Sequence, residues 1–509
     1  MRFLTSGQIR DFEGEIITDV YSSLRLIDSA ANACAKELSH FGAICIFCGK
    51  GNNGADGYRL AKLLHEGGAA VKIVRVFEPG TEECKMLAEE CEGDDIPAFG
   101  FDEDGLSKAL SDCRAVVDAI FGIGIKGEVA GTARRAIEFI NGLGTYVLSV
   151  DIPSGLDADS GEVCGVCVKA DKTVTFTAPK LGMLSGAGVD HCGEIVIRYV
   201  DIPVNEGSVP EWQPVPLTEE LAAGLLPKRP RLSHKGTFGR ALMVVGSPGM
   251  LGAAAMAARS AMRSGVGLVT IMCRRGLENT LNIMVPEAVV LPVDDYSMSL
   301  PEIKKAVESA DAVLVGCGIG RSISVRFITE LLDAAKAPVI IDADGLNILS
   351  GRPELLSGRN VVITPHPLEF ARLTGISVAE QEKDRVGAAR TFAEKYGVTL
   401  VLKGARTVIA SPGGTAAVSL MSTSALAKAG SGDTLAGLLC ALCAQGLPAD
   451  DAARLGVYLH ARAGMISAVK NGEYSTTVGD ITDCLKYAFM EVSAHGSRQS
   501  VGGDKPERD

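Results

Sequence analysis

Residues 43–57 read AICIFCGKGNNGADG, and this stretch decides the fold class. Six apolar, strand-forming residues stop at a glycine. Beyond the glycine-rich turn, Leu60, Leu63 and Leu64 recur at helical spacing. Strand, glycine turn and helix in that order open a βαβ unit. Working outward, strand-like runs return at 71–77 (VKIVRVF), 115–121 (AVVDAIF), 146–152 (YVLSVDI) and 172–178 (KTVTFTA), with helical patterns between them. Such alternation predicts a parallel sheet covered on both faces, a three-layer αβα domain of Rossmann-like type.

The alternation fails around 201–230, where five prolines fall within 203–227, and this reads as a linker. It then restarts with 241–247 (ALMVVGS), 312–318 (AVLVGCG), 338–344 (PVIIDAD), 361–367 (VVITPHP) and 399–404 (TLVLKG). Two α/β domains are expected: 1–205, a linker at 206–224, and 225–493. The polar stretch 494–509 reads as a disordered tail.

The chain has 509 residues, with 50 Lys and Arg against 62 Asp and Glu, a net charge of −12. That balance speaks against a nucleic-acid or anionic-membrane binder. No apolar run reaches the ~18 residues that would cross a bilayer, and the first residues lack a secretory h-region. A cytoplasmic protein without nucleic-acid or membrane partners is expected. Fourteen cysteines include the pairs Cys45/Cys48, Cys164/Cys167 and Cys440/Cys443. The first and third sit in apolar runs, where a thiol behaves as a small hydrophobe. Near the second lie His191 and Cys192, but the spacing departs from that of zinc sites, and reduced structural thiols are the better reading.

The turn at 49–54 satisfies G-x-G-x-x-G, with Glu78 near the end of the next strand, so a dinucleotide fingerprint is one reading. Two asparagines and an aspartate inside it, Asn52, Asn53 and Asp56, offer oxygens for a cation or a ribose. Asp118 ends a second strand before a glycine-rich loop at 122–127, and Asp151 ends a third before Pro153, Ser154 and Gly155. Ligands of open α/β sheets bind beyond the carboxyl ends of strands, so these three loops would converge.

Together, GNNGADG, DAIFGIG, VDIPSGLDADSG and TFTAPKLG resemble the epimerase domain of the NAD(P)H-hydrate repair enzymes over residues 1–200. The resemblance implies a potassium ion held by Asn53, Asp118 and Ser154, a donor set that suits a hard cation. It implies contacts to the hydrated nicotinamide nucleotide from Asn52, Asn53, Gly54, Ala55 and Asp56, from Gly122, Ile123, Gly124, Ile125, Lys126, Gly127 and Glu128, and from Asp151. Ala55 stands where the family usually has a second glycine. Asp151 would also act catalytically, assisting reversible opening at C6.

In the second half, Ala429–Leu435 reads AGSGDTL and opens a helix. Backbone N–H groups at a helix N-terminus form an anion hole, and Asp433 beside it is placed to exchange a proton with a bound hydroxyl. The sequence is similar to the catalytic corner of the ribokinase-like αβα fold. His366 lies between two prolines at a strand end, and Lys403, Gly404, Ala405, Arg406 and Thr407 follow another strand as a phosphate-binding candidate.

With DADGLN (342–347), these pieces resemble the ADP-dependent NAD(P)H-hydrate dehydratase domain over roughly 225–490. By that resemblance Ala254, Gly318, His366 and Asp433 contact the hydrated nucleotide, while Lys403–Thr407 and Gly432 contact ADP, with Mg2+ accompanying it. Leu368 replaces the family's usual glycine after the histidine motif. The domain order matches the bifunctional repair enzyme: epimerisation at C6 in the first half, ADP-dependent dehydration of the S form in the second. Small-molecule substrates, hydrated NADH or NADPH and ADP, and a homo-oligomer are expected. Three other readings compete: a small-molecule kinase using GSGD, a dehydrogenase built on 49–54, and an RNA-associated scaffold.

Overall fold

In the first of two contact units, Met1–Gln213, seven strands form a parallel sheet. They are β1 (Ala43–Cys48), β2 (Ala70–Arg75), β3 (Ala98–Gly100), β4 (Ala115–Ala119), β5 (Tyr146–Val150), β6 (Lys172–Phe176) and β7 (Glu194–Arg198), in the order β3-β2-β1-β4-β5-β6-β7. The order reverses between β1 and β4, which opens a crevice at their carboxyl ends. β1, β4 and β5 are buried almost throughout because helices cover both faces. This computed structural model describes residues 1–501 apart from 102, 201, 203, 321 and 322.

The second unit, Pro214–Asp509, is built on ten strands. These are β8 (Val215–Leu217), β9 (Arg240–Val244), β10 (Leu268–Arg274), β11 (Val289–Val293), β12 (Ala312–Val315), β13 (Val339–Ile341), β14 (Val361–Ile363), β15 (Thr399–Leu402), β16 (Val408–Ala410) and β17 (Ala416–Ser419). Their order is β11-β10-β9-β12-β13-β14-β15-β16-β17-β8, and only the β15/β16 and β16/β17 pairings are antiparallel. A switch point falls between β9 and β12. Helices Leu251–Arg263 and Ser431–Ala444 pack closely: a Cβ on Gly437 would meet the Ala257 carbonyl oxygen at 2.0 Å.

The segment read as a linker, 206–224, carries structure of its own. It holds a turn at Glu206–Ser208, the strand β8 and most of helix Glu219–Leu225. β8 pairs in parallel with β17 as the last strand of the sheet, and there Pro216 lacks no needed hydrogen bond. The stretch expected to be a disordered tail begins inside helix Val478–Val501; residues 502–509 lie outside the described residues. All fourteen cysteines are free thiols, and all but Cys164 are buried. Among the described residues no helix is long and apolar enough to cross a membrane.

Candidate active sites

In the first unit the chain leaves β1 at Gly49. A side chain there would collide with the Ile120 carbonyl oxygen at 1.9 Å, so only glycine lets the ends of β1 and β4 approach this closely. Helix Asn52–Glu66 starts with no side-chain cap, which leaves first-turn N–H groups facing the crevice. Asn53 donates from Nδ2 to the Val150 carbonyl at 2.8 Å, while its Oδ1 is buried without a partner. Asp118 is fully buried and accepts from Ser154 Oγ (2.5 Å), Ser154 N–H (2.8 Å) and Ser149 Oγ (2.8 Å). Burial still pushes its carboxyl up, against the lowering pull of those hydrogen bonds.

Above these residues lies a cavity of about 700 Å³. Asn52, Asn53, Asp56, the whole 122–128 loop and Asp151 line it. Gly54 and Ala55 do not, and Ala55 packs into the hydrophobic core. Asp118 and Ser154 sit beneath the wall, fully buried. Glu78, the acidic residue of the dinucleotide reading, is exposed and outside the cavity lining.

Three further residues complete the site. Lys180, only 1% exposed, pairs its ammonium with Asp151 Oδ1 and donates to Thr175 Oγ1 at 2.8 Å. Asp151 itself has a positive φ of 68°. Thr177, the residue after β6, also has a positive φ (65°), and its buried Oγ1 has no partner. Glu13 enters from helix Ser6–Gly14, its carboxyl raised by burial and by Asp151. Strained non-glycine backbone at two adjacent strand ends marks a position that the fold over-determines. Lys180 lies inside TFTAPKLG and was readable as part of a motif; nothing in the sequence points to Glu13.

In the second unit the uncapped helix Ser431–Ala444 begins after Gly430, whose φ of 96° turns the chain into it. A Cβ on Gly432 would lie 3.1 Å from Lys403 Nζ and 3.7 Å from Asp342 Oδ2. Lys403 therefore stands directly beside the anion hole. Asp342, 1% exposed, anchors it at 2.8 Å and accepts from Thr364 Oγ1 at 2.7 Å. Burial pulls the Lys403 ammonium down, but Asp342 and Glu369 outweigh it and the net direction is up. Asp433, Asp342 and Cys317 bring their ligand atoms within 4.8 Å of one another. Burial, then the Asp342 charge, push the Asp433 carboxyl up to about 6.

His366 caps helix Pro367–Thr374: its Nδ1 accepts from the N–H groups of Leu368 (3.1 Å) and Glu369 (3.3 Å). That assignment leaves Nε2 as the donor in the neutral ring. His366, Lys403, Gly404, Ala405, Thr407 and Gly432 line a second cavity, of about 790 Å³. Arg406 is turned away from it, 2% exposed and donating to the Leu420 carbonyl. Gly318 (φ 60°) faces Ala253, whereas Ala254 is fully buried in the core. Neither Asp433 nor Gly318 lines this cavity. His460, which the sequence does not single out, lies 3.4 Å from Ser431 Oγ with its imidazole pushed down to about 4 by burial and by Lys403.

Two family descriptions match the chain: YjeF-related protein N-terminus over residues 23–182, and NAD(P)H-hydrate dehydratase over 241–486. Over 466 residues the chain is 36% identical to a bifunctional NAD(P)H-hydrate repair enzyme, Nnr, of Moorella thermoacetica, covering 88% of each. It is 34% identical over 492 residues to that of Coxiella burnetii, covering 94% of this chain and 97% of the relative. A Bacillus subtilis ADP/ATP-dependent NAD(P)H-hydrate dehydratase, co-crystallised with ATP and Mg2+, is 33% identical. That match covers 55% of this chain and 99% of the other, with a TM-score of 0.49.

Proposed function

The chain belongs to the bifunctional NAD(P)H-hydrate repair enzymes, and from that premise we propose a division of labour between its two units. The first interconverts the R and S forms of hydrated NADH or NADPH at C6. The second dehydrates the S form back to the reduced nicotinamide, with ADP as co-substrate and Mg2+ accompanying the nucleotide. The observation that carries the reading is the Asp433 corner: an uncapped helix start, a lysine ammonium beside it, and a carboxyl held near 6.

A hydroxyl next to a ring nitrogen leaves when the nitrogen lone pair pushes it out, and loss of a C5 proton then restores the dihydropyridine. At neutral pH the departure needs proton handling, worth about 10²–10⁴-fold. Asp433 takes the proton of the C6 hydroxyl as the hydroxyl oxygen attacks the terminal phosphorus of ADP. The bond from that phosphorus to the bridging oxygen breaks and AMP leaves, and the C6–O bond then breaks to release inorganic phosphate. The Gly432 N–H and Lys403 offset the phosphate charge. The ionised carboxylate is the working form. Thr407, Gly404 and Ala405 hold ADP in the 790 Å³ cavity, whose wall also includes His366, the residue we assign to the hydrate.

In the first unit Asn53 Oδ1, the Asp118 carboxylate and Ser154 Oγ would hold a potassium ion: the Asn53 oxygen is buried without a partner, the Asp118 carboxyl is fully buried, and oxygen donors of this kind suit a hard cation. Bound there, it would offset the Asp118 charge and fix the ends of β1, β4 and β5. Asp151 handles the C6 hydroxyl in the cavity above. Incubating the full chain with hydrated NADH, with and without ADP, tests the reading: reduced-nicotinamide absorbance should return only with ADP. Recovery without nucleotide, or a phosphorylated product that persists, would point to different chemistry.

A further inference from the structure

The turn at 403–407 is tied to the helix that precedes β15. Helix Arg385–Tyr396 opens with Asp384 as its cap, whose carboxylate accepts from the Gly387 N–H at 2.8 Å. From the first position of that helix the Arg385 side chain, 12% exposed, reaches the end of β15. Its Nη2 donates to the carbonyls of Lys403 at 3.0 Å and Leu402 at 3.4 Å, and its Nη1 pairs with Glu382. A Cβ on Gly404 would lie 2.5 Å from that Nη2 and 3.1 Å from Cζ, so the bare glycine is what lets the guanidinium come this close. Arg385 does not line the 790 Å³ cavity, whereas Gly404, Ala405 and Thr407 do.

A trans peptide carries its N–H opposite its carbonyl. Holding the Lys403 carbonyl against Arg385 therefore turns the Gly404 N–H the other way, toward Thr407 Oγ1 at 3.4 Å. Thr407 Oγ1 donates in turn to the Gly404 carbonyl at 2.9 Å, which closes the turn. The Ala405 N–H has no acceptor among the described residues and is left for a ligand. Lys403 is fixed at two further points: its N–H donates to the Pro365 carbonyl at 2.9 Å, and Asp342 anchors its ammonium. Arg385 supplies the clamp on the carbonyl.

We infer that Arg385 is a positioning residue for the nucleotide: its guanidinium orients the peptide between Lys403 and Gly404 so that the turn presents its N–H groups to ADP phosphate. It does this without touching ADP. The inference rests on the reading that this turn holds ADP. Arginine suits the task because its planar fork spans the Lys403 carbonyl and the Glu382 carboxylate at once, which a single ammonium does not. An orienting clamp acts on binding and leaves the reacting groups at Asp433 in place, so its loss should appear in the ADP requirement and not in the limiting rate.

The test is an ADP titration of the full chain at saturating S hydrate. Arg385→Ala should raise the half-saturating ADP about tenfold or more, the size of one lost charged hydrogen bond, while the limiting rate stays within about threefold. Gly404→Ala keeps the arginine but pushes its tip away, and should show the same defect; it reads the clamp even where Arg385→Ala does not fold. Combined, the two changes should do no more than Arg385→Ala alone, because the methyl has no guanidinium left to displace. An unchanged ADP requirement in either single variant, or effects that multiply in the double variant, would overturn the inference. So would a limiting rate that falls as far as the ADP requirement rises. Thr407→Val separates this from the underlying reading. A raised ADP requirement in Thr407→Val beside an unchanged Arg385→Ala overturns the Arg385 role alone. No change in either overturns the reading that the turn holds ADP.

Discussion

Asp433→Asn should make the second unit more stable and nearly inactive at once. The carboxyl is pushed up to about 6 from an ordinary 3.8, first by burial and then by Asp342, while Cys317 and Lys403 pull it partway back. At about 1.4 kcal/mol per pH unit, holding it ionised near pH 7.5 costs the fold about 3 kcal/mol. Asp433 is partly exposed, so solvent screening makes that a ceiling. The sign follows from linkage. A raised carboxyl gives its full stability below 3.8, and that stability is lost as the pH climbs through about 6. Asparagine never ionises, so the variant does not lose it. The two proteins should melt together below about pH 4, diverge between there and pH 6, and stay apart above it, the variant ahead by up to roughly 6 °C at about 2 °C per kcal/mol. Calorimetry of the full chain reads this from the transition that ADP shifts. Turnover should fall about 10²-fold or more with little change in the ADP requirement, and the wild-type loss of rate below about pH 6 should vanish. A variant less stable than wild type at pH 7.5, or one that turns over normally, would refute the reasoning and direct attention to His366.

Three shorter expectations accompany it. Asp118→Ala should remove any rate advantage of potassium over choline in epimerisation while ADP-dependent dehydration continues; a potassium response that survives would exclude the Asn53, Asp118 and Ser154 site. Lys403→Ala leaves Asp342 buried without its cation, so it should raise the ADP needed for half-maximal rate and cost about 3 kcal/mol of stability, seen in an ADP titration and a denaturant midpoint. Gly437→Ala places a methyl 2.0 Å from the Ala257 carbonyl oxygen, and should force the two helices apart at about 1–3 kcal/mol, measured by urea unfolding with the first unit's epimerisation as a control.

Much of this architecture is legible in the sequence because long buried parallel strands read as apolar runs. β1, β4, β5, β9 and β12 are such strands, and each has a glycine or an aspartate within two residues of its last residue, which marks its ligand-facing end. Several short or interrupted strands escape this reading, although β13, β14 and β15, of three or four residues, do show as apolar runs. β3, β16 and β17 have three or four residues, β11 contains Pro292, and β8 contains Pro216 inside a proline-rich stretch. The sites divide in the same way. Residues contiguous in sequence at a helix start, such as Asn52–Asp56 and Ser431–Asp433, carry their signal locally. Lys180 with Asp151, and Lys403 with Asp342, meet only because separate strands end side by side, 29 and 61 positions apart. Helical phase inside a small-residue run is hidden too: Ala253 faces Gly318 while Ala254 enters the core.

Complementation between damaged full-length chains tests the two-site account most directly. One chain carries Asp151→Asn and the other Asp433→Asn, and both are given an epimer mixture of hydrated NADH with ADP. The Asp151→Asn chain should restore the S form quickly and then stall at the slow uncatalysed rate. The Asp433→Asn chain should equilibrate the epimers and restore almost nothing. Mixed together, they should restore the whole substrate without a slow phase. If either chain alone consumes both epimers at wild-type speed, or the mixture still stalls, the two units do not divide the repair as argued.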